Sequence, residues 1–111
     1  MWYSVRTLYL WGQKADGINV FEERVVTFEA KSDAEVFAKA QKEANTYADG
    51  DGEGYEVYPE QTSYQLLSDN ENENNLIDGY EVWSQLFEGY ETLEEFYQNR
   101  YAQYEYHPDT T

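Results

Sequence analysis

The sequence predicts an α+β domain: a four-stranded, mostly antiparallel sheet with two helices packed on one face, in the order β-β-α-β-β-α. Three observations carry that expectation. Several runs are rich in β-branched and aromatic residues and alternate with period two, Trp2–Trp11 most clearly. Two S/T-x-x-E signatures, Ser32–Glu35 and Thr92–Glu95, each open a stretch with helical spacing. Glycine- and proline-bearing segments separate these runs. At 111 residues the chain fits one domain, 1–111, long enough to bury a core without staples.

In Trp2–Trp11, Tyr3, Val5, Thr7, Tyr9 and Trp11 share one face, and Trp2, Ser4, Arg6, Leu8 and Leu10 the other. Large side chains stand on both faces, so either the strand is central or one face is covered by something unusual. Asp16-Gly17 supplies turn chemistry, and Val20–Ala30, with Val25, Val26, Thr27 and Phe28 at its heart, completes a hairpin. A helix follows from Ser32 to about Ala48. Its apolar stripe is read as Phe37, Ala40, Ala44, Tyr47 and Ala48, with small alanines allowing close approach to a sheet. The glycines of Asp49–Gly54 end it.

Tyr55–Tyr58 and Tyr64–Leu67 are strand-like, and Pro59 between them predicts an edge, a bulge or a bend, because proline donates no ladder hydrogen bond. Asp69–Asn75 reads as an acidic polar loop. Asp78-Gly79 turns into a strand over Tyr80–Phe87. The second helix runs from Thr92 to about Tyr104, and 106–111 is expected to form a flexible tail. The expected core is Val5, Val25, Val26, Phe28, Phe37, Ala40, Ala44, Val57, Leu66, Val82, Leu86, Leu93 and Tyr97.

Charge is distributed unevenly. Residues 1–48 hold six Lys/Arg against seven Asp/Glu, a net of −1. Residues 49–111 hold Arg100 alone against sixteen acids, a net of −15, together with nine of the twelve tyrosines. This argues against phosphate-backbone binding and against anionic membrane surfaces, both of which need Lys/Arg. It favours a basic partner, a divalent cation, or a face whose charge serves solvation alone. The absence of cysteine excludes disulfides, thiolate nucleophiles and sulfur-ligated metals. No apolar run approaches the ~20 residues of a membrane span, and Met1-Trp2-Tyr3 leads straight into the alternating segment rather than a signal peptide. A cytoplasmic location is expected.

The blocks W-Y-S-V-R (Trp2–Arg6), E-E-R-V-V-x-F-E-A (Glu22–Ala30), S-D-A-E (Ser32–Glu35) and D-G-Y-E-V-W-S (Asp78–Ser84) resemble the small bacterial domain-of-unknown-function family 4288, over about residues 2–88. The resemblance implies a small bacterial α+β domain. It implies no activity and no catalytic residues.

Little in the sequence points to catalysis. The one histidine, His107, lies beside Pro108 in the expected tail, where geometry is not held. Glu22 and Glu23 are strand neighbours and point to opposite faces. Glu94 and Glu95 occupy a first helical turn, where acids favour the helix dipole. No enzyme activity and no cofactor are expected. Asp49, Asp51, Glu53, Gly54 and Glu60 fit positions 1, 3, 5, 6 and 12 of a calcium-loop template. Glu56 at the usual aliphatic position, Pro59, and the strand that follows instead point to an acidic connection between helix and strand.

Carboxylates spaced on a rigid domain can imitate the phosphates of nucleic acid. The expectation is therefore an inhibitor or immunity-type protein, bacterial or phage by analogy of build, that blocks the basic site of a nucleic-acid-binding enzyme or toxin. Its partner-binding residues are expected to be Glu81, Glu88, Tyr90, Glu91, Glu94, Glu95, Tyr97, Tyr101 and Tyr104. A calcium-responsive or structural interaction domain, homodimeric through exposed aromatics, is the alternative.

Overall fold

The computed structural model describes residues 1–50, 55–66 and 76–101. It is an α+β fold: an antiparallel sheet of five strands with two helices. The elements are β1 (Trp2–Gln13), β2 (Asn19–Glu29), α1 (Asp33–Asp49), β3 (Glu56–Val57), β4 (Thr62–Gln65), β5 (Tyr80–Gly89) and α2 (Leu93–Arg100).

The β1–β2 hairpin is the centre of the sheet. Its register sets Tyr3 against Phe28, Val5 against Val26 and Tyr9 against Glu22, and shifts between Leu10 and Gly12. Gly12, at φ +141°, takes a backbone angle that side chains rarely adopt. The connecting turn closes with Gly17 N–H donating to the Lys14 carbonyl at 2.9 Å, while the Asp16 carboxylate accepts from Ile18 N–H.

The expected four strands become five because Pro59 divides one edge. β3 pairs Tyr9 and Leu10, and β4 pairs Tyr3 to Arg6, both along the same side of β1. The bend at the proline thus yields two short strands rather than one. On the other side of the hairpin β5 pairs β2, giving the order β3-β1-β2-β5.

The helices do not share a face. Tyr3, Val5, Val26 and Phe28 pack with Val36 and Ala40 of α1, and Tyr9 packs with Ala44 and Ala48. Leu8 and Phe21 point the other way and pack with Leu93, Phe96 and Tyr97 of α2. Alternation along β1 separates the two sets, so bulky side chains on both faces of this strand mark a central strand covered on each side.

Several expected core positions move. The buried stripe of α1 is Val36, Ala40, Ala44 and Ala48, a strict i+4 row, and Phe37 is exposed. Three alanines in that row bring the helix backbone near the sheet, and the larger Phe37 stands one residue out of phase. Val25, Val57 and Leu66 are half-buried. Val82 and Leu86 are 51% and 55% exposed, because β5 is the outermost of the described strands on its side of the sheet and packs on the α2 cluster through Phe87.

Both helix starts form as the signatures predict. Ser32 accepts from Glu35 N–H at 3.2 Å, and the Glu35 carboxylate accepts from Lys31 N–H. Thr92 and Glu95 close a full reciprocal capping box. The helix α2 ends at Arg100 with Tyr101 as its C-cap, and residues 102–104 of the expected helix lie outside the described residues, as do the loop Asp69–Asn75 and the tail 106–111. No helix among the described residues is long and apolar enough to cross a membrane.

Candidate functional site

The residues expected to meet a partner separate into three groups. Glu88, Tyr90, Glu91, Glu94 and Glu95 gather where β5 hands over to α2. Tyr90 is 74% exposed, and Glu88, Glu94 and Glu95 on the flanking elements are exposed as well. Their backbone is held: buried Asn19 donates its side-chain N–H to the Glu91 carbonyl at 2.6 Å, and the capping box fixes the first turn of α2. Glu94 accepts from the Tyr58 hydroxyl at 2.6 Å and from Gln98, and Glu88 pairs with Lys14.

Tyr97 and Tyr101 form the second group, and the structure turns them inward. Tyr97 stacks on Tyr58 with centroids 4.5 Å apart, and the Arg6 guanidinium lies 4.0 Å over the Tyr101 ring. Both belong to the core beneath α2. Tyr97 thus takes the core position expected of it and not the partner-binding one, and Tyr101 joins it on the buried stripe of α2. Glu81 stands apart, near the far end of β5, in an ion pair with Arg24. Tyr104 lies outside the described residues.

The strongest polar constellation was not singled out from sequence. Arg24, 6% exposed, makes two 2.7 Å hydrogen bonds to the Glu43 carboxylate of α1, donates to Glu81 of β5, and stacks 3.7 Å over the Tyr47 ring. Beside it, buried Glu22 accepts from the Tyr47 hydroxyl at 2.7 Å and from the Trp11 indole at 3.0 Å. Burial opposes the Arg24 charge, but Glu43, Tyr9 and Glu81 outweigh it and hold the guanidinium more firmly protonated. The network ties β2 to α1 and to β5. Its signal in the sequence was Glu22-x-Arg24-x-Val26-x-Phe28, a polar pair in phase with the buried face of a strand.

This packing has a consequence at alkaline pH. Burial, only partly offset by Arg24, pushes the Tyr9 hydroxyl up to about 12, and burial with Glu94 pushes Tyr58 up to about 12. Burial and Glu22 raise Tyr47 as well. The unfolded chain releases these protons near ~10 and the folded chain later. Their stabilisation is therefore complete below ~10 and is lost as pH rises through about 12. For buried Tyr9 alone the loss is about 2–3 kcal/mol. Urea unfolding at pH 8 and at pH 11.5 is expected to show the drop, reduced in Tyr9→Phe; equal drops in both proteins would contradict it.

On the opposite side of the sheet edge, a groove of about 950 Å³ is lined by Arg6, Arg100, Tyr64, Tyr97 and Tyr101, with Glu60 as its carboxylate. Two arginines there contrast with the acidic end of β5. Of the calcium-template residues, Asp51, Glu53 and Gly54 lie outside the described residues. Asp49 ends α1, Glu60 is exposed beyond Pro59, and the chain after Glu60 enters a strand, not a helix. Among the described residues, no group of three or more acids or histidines is arranged to hold a metal ion.

Set against protein families, curated proteins and solved structures, the chain matches none of them.

Proposed function

We propose that this chain is a non-enzymatic acidic binding protein, of the inhibitor or immunity type, that blocks the basic, nucleic-acid-binding site of a partner protein. One observation carries the reading: Tyr90 is exposed in the turn from β5 to α2, a stretch that also carries Glu88, Glu91, Glu94 and Glu95, on a backbone pinned by Asn19 and by a capping box. Rigid elements suit fixed charge spacing, and a projecting tyrosine offers contact area at low entropy cost. The net charge of −16 would steer a cationic partner toward the chain. The resemblance to family 4288 belongs to this proposal and adds no activity to it.

The structure also refines the choice of variants. Glu94 and Glu95 serve α2 through Tyr58 and the cap, so reversing their charge would mix binding with folding. Glu88→Lys/Glu91→Lys changes the surface with less disturbance. Titration of an arginine-rich peptide at about 50 and 200 mM salt compares it with the charge-matched Glu56→Lys/Glu60→Lys. The first variant is expected to weaken binding at least ~10-fold and to flatten its salt dependence, the second no more than ~3-fold. Equal losses in both would mean that the charge is solvation only.

A further inference from the structure

The two edges of the sheet are built differently. One edge is broken by Pro59 into strands of two and four residues, short pieces that resist pairing with another chain. Among the described residues the other edge is β5, ten residues with no proline and no lysine. Its six central residues, Val82–Phe87, carry no charge, and its carboxylates are already engaged, Glu81 by Arg24 and Glu88 by Lys14. Trp83 is 43% exposed, beside the exposed Tyr80, Val82 and Leu86. A long, uncharged, apolar edge is a template for strand addition.

We infer that β5 pairs antiparallel with β5 of a second copy of this chain, making one continuous sheet across a two-fold axis. The order of residues fits a copy of itself. Beyond the bulge between Val25 and Val26, the register sets Trp83, Gln85 and Phe87 opposite Val25, Glu23 and Phe21, on the face that α2 covers. A two-fold axis at Gln85 then places Trp83 of each copy directly across from Phe87 of the other. Aromatic cross-strand pairs of this kind stabilise a sheet, and Phe87 already packs on Phe96, so the contact extends the core under α2. On the opposite face Ser84 meets Leu86 of the second copy.

The area is sufficient. With aromatic side chains burying ~150–250 Å² each, the exposed parts of Tyr80, Val82, Trp83 and Leu86 present roughly 400 Å² of apolar surface per copy. Two such edges, with the backbone and polar groups between them, reach the ~1,200 Å² at which stable interfaces begin. Each copy carries −16, so added salt screens their repulsion and strengthens the pairing. The acidic-surface reading predicts the reverse salt dependence for a basic partner, so either idea can fail without the other.

The test is sedimentation equilibrium of the full chain at low and high salt, combined with hydrogen exchange of the β5 amides. The expected result is a dimer favoured by salt, with β5 protection that rises with protein concentration. Gln85→Lys, which sets two cations across the axis, is expected to shift the species to monomer. Because the chain has no cysteine, Gln85→Cys gives a further arm: antiparallel neighbours ~4.5–5.5 Å apart can form a disulfide, so oxidised glutathione should link two copies, and should not link Glu56→Cys. A monomeric wild type overturns the proposal. If its β5 is protected at every concentration, the chain covers its own edge; if unprotected, the edge is left to an extended strand of another protein. A dimer unaffected by Gln85→Lys also overturns it.

Discussion

Replacing Arg24 by leucine is expected to destabilise the fold by about 3–5 kcal/mol, the range for removing one partner of a buried ion pair. Arg24 is enclosed, and its loss leaves the Glu43 and Glu81 carboxylates and the Tyr9 hydroxyl facing an apolar side chain. Glu43 and Glu81 retain some solvent, so the lower end of the range is the expected value. By the usual ~4 °C per kcal/mol for a domain of this size, the midpoint should fall roughly 12 °C. Thermal unfolding of both proteins at pH 7 checks this. A loss under ~1 kcal/mol, as for a surface pair, would show that the network is solvated.

Phe96→Ala is expected to cost a similar ~3–5 kcal/mol, as large-to-small changes at buried aromatics do. Phe96 stacks on Phe21 with centroids 4.3 Å apart and also touches Phe87 and Tyr101. An eight-residue helix is too short to stand alone in water, so α2 depends on this packing. Its loss should release the first turn of α2 and with it the carboxylates around Tyr90. Hydrogen exchange should show α2 opening while the α1 side of the sheet stays protected. Uniform exchange across the domain would indicate instead that the two faces unfold together.

How far the sequence carries depends on the kind of signal. Capping boxes are local, so Ser32 and Thr92 mark their helices without knowledge of anything distant. Alternation along β1 is also local, and it is read correctly as two large faces. The side of the sheet that receives each helix is not local. It follows from which apolar row each helix finds, Tyr3/Val5 for α1 and Leu8/Phe21 for α2. The division of the edge strand needed only Pro59, but proline names several outcomes and pairing selects one. Tyr97 was expected both in the core and at the partner surface, because composition and spacing alone do not tell a wet stripe from a buried one. Glu22 and Arg24 illustrate the same limit, since a charged pair on a strand reads as solvent-facing until α1 and β5 close over it.

The association rate of the chain with an arginine-rich peptide, followed by stopped flow across a series of salt concentrations, tests the central claim most directly. The expected result is a wild-type rate that falls steeply with ionic strength, and a slower, flatter profile for Glu88→Lys/Glu91→Lys, with the fold intact by circular dichroism. The charge-matched Glu56→Lys/Glu60→Lys should stay close to wild type. Identical profiles for all three proteins would contradict a localised acidic binding surface around Tyr90.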